Sequence, residues 1–198
     1  ALCEPLSCSA YAVNQTGMGM EDTVVIPGLG AIGMGMLQFA LLRNPKRVIG
    51  IDTNDALCEI AKKLGAAEVL NPMKEDVTKR VMELTDGVGC DIYMEATGNP
   101  ASVETGMNCL RKQGMLFIYS VFKKKAEIDL NQISEFKELR VIGGHLSPGA
   151  FPYTIDCLEK GKINAKVMVT DIFALNEIDE AMSAKKPDRV SIKTVLVP

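Results

Sequence analysis

Thr23-Val24-Val25-Ile26-Pro27-Gly28-Leu29-Gly30-Ala31-Ile32-Gly33 carries an apolar run straight into G-x-G-x-x-G. The next apolar run, Arg47-Val48-Ile49-Gly50-Ile51, ends on Asp52, nineteen positions after Gly33. Each part of this unit has its own physical reason. Gly28 allows the tight turn out of a strand, and Gly30 lets the backbone approach a pyrophosphate that a Cβ would hit. Gly33 lets the following helix, expected over 31–43, pack closely on the sheet. That helix would aim its free N–H groups, beginning at Ala31 and Ile32, and its positive dipole end at the phosphates. Asp52 would accept both hydroxyls of an adenosine ribose. A 2′-phosphate would be repelled there, and Thr53 and Asn54 offer no arginine to receive one, so the bias is NAD over NADP. No Gly-Lys-Ser/Thr follows, which excludes a triphosphate P-loop. Tyr119-x-x-x-Lys123 imitates a short-chain dehydrogenase pair, but strand spacing holds such residues about 13 Å apart, too far to share a proton.

Outward from the loop, apolar runs alternate with helical patterns, which predicts an α/β fold: a doubly wound parallel sheet of Rossmann type with helices on both faces. Strands are expected at 23–26, 47–51, 68–70, 91–95, 115–120 and 139–143, and crossover helices at 31–43, 55–64, 75–84 and 102–110. Pro27 fits only as the last residue of its strand, because it lacks a ladder donor. A helix at 5–15 precedes the unit. A helix at 152–160, a strand at 166–169, a helix near 177–185 and a strand at 191–197 follow it. Residues 126–130 alternate with period two and read as an edge strand open to another chain. Ligands of open α/β sheets lie beyond the strand carboxyl ends, where Asp52, Thr97-Gly98, Val121-Phe122 and Gly143-Gly144 fall.

Composition bounds the alternatives. The chain has 198 residues, 47% of them apolar, enough for one substantial core. A net charge of −3 with both signs mixed leaves no basic footprint for nucleic acid. No apolar run reaches the ~18 residues of a membrane span, and no signal-peptide pattern opens the chain. The six cysteines include no C-x-x-C pair and the single histidine is His145, so no self-contained zinc site is written here. Reduced, buried thiols in a cytoplasmic protein are the expectation.

In order along the chain, Glu4-Pro5-Leu6-Ser7, Gly28 to Gly33, Asp52, Leu64-Gly65-Ala66, Glu95-Ala96-Thr97-Gly98 and Ser191-Ile192-Lys193-Thr194-Val195-Leu196 resemble landmarks of the zinc-type medium-chain dehydrogenases, the family of alcohol, sorbitol and threonine dehydrogenases. The resemblance is to their coenzyme-binding part and to the polyol branch. Gly143-Gly144-His145-Leu146-Ser147-Pro148 looks most like enzymes acting on erythritol or threitol. The resemblance implies hydride transfer between a secondary or sugar alcohol and NAD, with zinc as Lewis acid in a full-length enzyme. It places Thr97 near the adenosine half and Val121, Phe122 and Ile142 around the nicotinamide. Lys193 stands where an arginine often meets the pyrophosphate, and Glu4 where a glutamate lies beside the catalytic zinc. It also implies a homodimer joined through 126–130. The chain departs from the family at Leu57, where a basic residue is frequent, and at Asp171, before the matching Phe173.

The implied organisation is a linking helix at 1–20 leading from an N-terminal catalytic domain, a dinucleotide-binding domain at 21–150, and C-terminal helices and strand at 151–198 completing the coenzyme domain. The family's zinc ligands precede a sequence like Glu4-Pro5-Leu6, so the chain is expected to hold NAD but not zinc, and to be inactive alone. Three rival readings compete with this one. An NAD- or nucleotide-sensing module has no use for the terminal Ile192–Leu196 landmark, a methyltransferase lacks this glycine spacing, and a zinc-free quinone reductase is disfavoured by Asp52.

Overall fold

A computed structural model of the chain describes residues 1–183 and 190–198. Six parallel strands form one sheet: β1 Thr23–Pro27, β2 Arg47–Ile51, β3 Glu68–Leu70, β4 Cys90–Glu95, β5 Leu110–Ile118 and β6 Arg140–Gly143, in the order β3-β2-β1-β4-β5-β6. This is the expected doubly wound Rossmann arrangement, and strand order reverses between β1 and β4. Val25 of β1 aligns with Ile49 of β2 on one side and Tyr93 of β4 on the other. All five β1 side chains are buried, as a central parallel strand requires, and Pro27 is its last residue.

Helices cover both faces. Helices α1 Cys3–Thr16, α2 Ala31–Leu41, α3 Asp55–Leu64 and α6 Phe151–Glu159 contribute to one apolar core. The other holds α4 Val77–Leu84 and α5 Pro100–Cys109, centred on Val25, Ile49, Tyr93 and Leu116. Side-chain caps set three helix starts: Asn54 for α3, Asp76 for α4 and Asn99 for α5 each accept a first-turn N–H. Gly65, at φ 115°, ends α3 in the left-handed conformation. The α1–α2 crossing is close because its contact residues are small. Ser9 Oγ donates to the Ile32 carbonyl at 2.9 Å, and a Cβ on Gly35 would run into Ser9.

Several expectations need correction. The strand expected at 166–169 is a short 3-10 turn, Lys166–Met168, which buries Met168 and lets its sulfur accept from Gln38 Nε2. The strand proper is β7 Val169–Ala174, and it pairs in parallel with β8 Lys193–Val197 in a separate two-stranded sheet. The helix expected near 177–185 is α7 Ile178–Ser183, led by a 3-10 turn; its expected end at Lys185 lies outside the described residues. Residues 126–129 form no strand and join neither sheet, because β6 already occupies that edge of the sheet and no other strand among the described residues is left to bond them. Leu130 instead opens a helical turn that leads into a π-helical segment, Gln132–Phe136.

Candidate functional site

The carboxyl ends of β1, β2 and β4 frame a cleft of about 680 Å³ beside the strand-order reversal. Backbone bonds continue past the strand ends and fix its rim. Gly28 N–H donates to the Ile51 carbonyl at 2.8 Å, and Ala96 N–H to that of Pro27 at 3.2 Å. Gly28 has φ 85°, and a Cβ there would stand 2.8 Å from the Ala96 carbonyl oxygen. A Cβ on Gly33 would overlap the Gly28 carbonyl oxygen, so the first turn of α2 closes directly onto the loop. Gly30 is different: a Cβ there would meet nothing within 4 Å, and the residue is exposed. Two glycines are therefore demanded by the protein's own packing, and the middle one faces open space. Ala31 and Ile32, half-buried, start α2 beside it with no side-chain cap on the helix. Their N–H groups are the free donors of a helix N-terminus.

Asp52 is half-buried where β2 ends. One carboxylate oxygen accepts from Leu29 N–H at 2.8 Å, the other from Asn54 N–H at 2.9 Å. The carboxylate thus ties β2 to the glycine loop. It keeps acceptor capacity for two further donors, since an ionised carboxylate offers about four lone-pair sites.

Opposite it, the Thr97-Gly98 turn is held by Glu95, a side chain that sequence reasoning did not single out for this role. Glu95 is fully buried at the end of β4. Its Oε1 accepts from Thr97 N–H at 2.7 Å, from the Thr97 hydroxyl and from Gly98 N–H at 3.1 Å. A carboxylate ending an apolar strand just before a Thr-Gly turn was the available signal. Tyr93 and Ser102, hydrogen-bonded to each other at 3.2 Å, also line the cleft and were not foreseen. Burial pushes the Tyr93 phenol well above its ordinary pKa, so it stays neutral.

The remaining predicted residues are spread along the same sheet edge and beyond it. Val121 is exposed, and its carbonyl would lie 2.6 Å from a Cβ on Gly98, so the two turns abut. Phe122 and Ile142 are half-buried, on opposite faces of the sheet: Phe122 packs on the α4/α5 core and Ile142 on the other. Lys193 opens β8 in the separate sheet and does not line the cleft. Leu57 is buried in the core, where a basic side chain would not fit without a partner. Glu4 is exposed in the first turn of α1 and accepts from Cys8 Sγ at 3.4 Å. Tyr119, just past β5, gives its hydroxyl to the Leu146 carbonyl rather than to Lys123.

The residues around Gly30 and Asp52 fit a dinucleotide. They do not assemble a metal site: among the described residues, no three His, Cys, Asp or Glu side chains are grouped to hold an ion. All six cysteines are free, and five are buried. Among the described residues no helix is long and apolar enough to cross a membrane.

A family model described as zinc-binding dehydrogenase matches residues 31–160. The chain is 38% identical to an erythritol/L-threitol dehydrogenase of Mycolicibacterium smegmatis, over all of this chain and 55% of that protein. It is 30% identical to a sorbitol dehydrogenase of Halalkalibacterium halodurans, over all of this chain and 58% of the other. Two solved structures superpose closely. One is a provisionally assigned zinc-binding dehydrogenase of Sinorhizobium meliloti 1021 bound to NADP, with TM-score 0.92, 27% identity, and 99% of this chain and 58% of that one covered. The other is 2R,3R-butanediol dehydrogenase of Bacillus subtilis, with TM-score 0.90, 27% identity, and 100% and 56% covered. The chain spans about half the length of the curated relatives it matches.

Proposed function

The chain belongs to the zinc-binding dehydrogenase family, and from that premise we propose that it is the NAD-binding portion of an alcohol or polyol dehydrogenase, moving hydride between a secondary or sugar alcohol and the nicotinamide. The observation that carries this reading is Gly30, left bare with open space in front of it, while its neighbours Gly28 and Gly33 are held tightly by protein atoms. Glycine at 30 has no use inside the chain; it has one if a pyrophosphate lies against its backbone.

The residue roles are those the family resemblance implies. The loop Gly28, Gly30, Ala31, Ile32 and Gly33 receives the pyrophosphate, Asp52 the adenosine ribose, and Thr97 the adenosine half. Val121, Phe122 and Ile142 flank the nicotinamide, which accepts the hydride when bound. The resemblance would bring Lys193 to the pyrophosphate as a single charge without a guanidinium fork, whereas here it opens β8 outside the cleft. Asp52 favours NAD because a 2′-phosphate would meet a carboxylate with no compensating cation at Thr53 or Asn54. The NADP seen in the Sinorhizobium protein is a property of that protein.

Zinc does not fit the residues present, so its ligands would come from outside the described residues, with Glu4 beside it. On this reading the chain alone binds NAD and does not turn over an alcohol. Division into a linking helix at 1–20, a dinucleotide-binding domain at 21–150 and a completing segment at 151–198 belongs to the same proposal, as does a homodimer through 126–130. The free thiols suit a reducing, cytoplasmic compartment. Among substrates, sugar alcohols of the erythritol or threitol kind are favoured by the 38% relative and by Gly143 to Pro148.

Calorimetric titration with NAD and NADP tests the reading. NAD should bind more tightly than NADP. Gly30→Ala should keep the melting temperature of the parent chain and lose most of the affinity. An alanine variant that binds NAD as well as the parent overturns the assignment.

A further inference from the structure

Tyr119 stands one residue past β5, half-buried, and its hydroxyl donates to the Leu146 carbonyl across the turn that leaves β6. Its ring stacks on that of Phe117, two residues back on the same face of the strand, with centroids 6.2 Å apart and planes 13° from parallel. Phe117 is fully buried, so the pair makes a fixed wall. Gly144 lies flat on it: a Cβ there would stand 2.6 Å from the Tyr119 ring and 2.7 Å from that of Phe117. The Gly144 N–H donates to the Ile118 carbonyl at 2.9 Å and extends the pairing of β5 with β6 by one rung.

Past that rung the turn has little else to hold it. Leu146 is exposed and sits at φ 54°, in the left-handed region that a leucine adopts only at a cost. The next backbone bond runs from Ala150 N–H to the Ser147 carbonyl at 3.1 Å. Among the described residues, no hydrogen bond other than that of Tyr119 reaches the backbone of residues 145 and 146. A strained residue persists only where its surroundings hold it, and here the hydroxyl is what holds it.

Phe117 pairs in register with Ile142, and Val121 follows Tyr119 by two residues. Tyr119 therefore stands among the residues assigned above to the nicotinamide, and the turn it clamps continues the strand that carries Ile142. We propose that the Tyr119 hydroxyl is a positioning group for the nicotinamide half of the site: by holding the Leu146 carbonyl it fixes the turn at 143–148 in the shape that receives the ring. The proposal rests on the dinucleotide reading above and adds what shapes one end of that site. It also gives the hydroxyl of Tyr119-x-x-x-Lys123 a use that does not need Lys123.

Tyr119→Phe keeps the stacked ring under Gly144 and removes the hydroxyl. NADH and ADP-ribose, which is the same molecule without its nicotinamide, separate the two halves of the site. The parent should bind NADH more tightly than ADP-ribose by calorimetric titration. In the variant NADH affinity should fall about threefold to tenfold while that for ADP-ribose stays within about twofold. The emission of bound NADH, shifted to the blue in the parent by a ring held out of water, should move back toward that of the free cofactor. Lys123→Ala should leave both ligands unmoved. A parent that binds neither ligand overturns the cofactor reading, and the clamp with it. A parent that binds NADH no better than ADP-ribose, a phenylalanine variant that loses both equally or neither, or an equal loss at Lys123 overturns the clamp alone.

Discussion

Both carboxylate oxygens of Asp52 are already engaged, by Leu29 N–H at 2.8 Å and Asn54 N–H at 2.9 Å, so the residue positions the loop in addition to the ribose contact proposed for it. One substitution would therefore confuse two effects, and two variants separate them. Asp52→Gly removes loop anchor and ribose acceptor together. Asp52→Asn keeps one oxygen for Leu29 N–H and removes the charge. With charged hydrogen bonds worth about 1.5–3 kcal/mol each, NAD affinity should fall about tenfold to a hundredfold in the glycine variant. Discrimination against NADP should relax in both, with the asparagine variant melting closer to the parent; titration with the two cofactors beside thermal melts reads each effect. Asp52 was legible in the sequence because its spacing from the glycines is a consequence of crossover geometry. Glu95 was not legible as an anchor, because its role depends on complete burial and on a turn that folds back over it. The carboxylate before a Thr-Gly turn was the one local hint, and it does not by itself show that the turn closes over the side chain.

Elements were read well where periodicity and caps agreed, and poorly where tertiary partners decide. Helices α3 and α5 carry an Asn cap at their entry, and α3 a glycine exit, so their bounds follow from local chemistry. Lys166–Met168 looks like a strand by composition, yet Met168 is drawn into the core beside Gln38 and the backbone turns. The carboxyl end of α5 shows the same dependence on distant sequence. It has no basic residue in its last turn and no glycine cap. Lys137, arriving after the π-helical segment, reaches the Met107, Asn108 and Leu110 carbonyls at 2.6, 3.0 and 2.7 Å. Burial lowers its pKa, so the bonds offset a desolvation cost. Lys137→Met keeps the length and removes all three donors. It should lower stability by about 1–3 kcal/mol, read as a lower urea midpoint with unchanged slope. NAD affinity should stay near the parent value, since α5's carboxyl end lies away from the cleft at its amino end.

Among the described residues, the buried groups whose protonation clearly departs from its ordinary range are thiols and a phenol, and this sets the direction of the alkaline pH dependence. Burial raises Cys109 from 9.0 to about 11, and raises Cys90 and Tyr93 well above their ordinary values. In the unfolded chain these groups ionise at their ordinary values, while the folded chain still holds their protons. The unfolded state then binds fewer protons than the folded one, so stability falls as pH rises. The Cys109 contribution is complete below pH 9.0 and is lost as the pH climbs through about 11, a change of about 2–3 kcal/mol. Tyr93 adds to the fall above its ordinary value of 10.0. Lys137 works the other way, since its lowered pKa relieves a charging cost as pH rises toward 10.5, but it is one group against several. The melting temperature should therefore hold up to pH 9 and decline steadily between pH 9 and 11. Cys109→Ala should melt lower than the parent at pH 8 through its lost packing and show a shallower decline above pH 9. A variant whose slope matched the parent's would assign the alkaline loss to other groups.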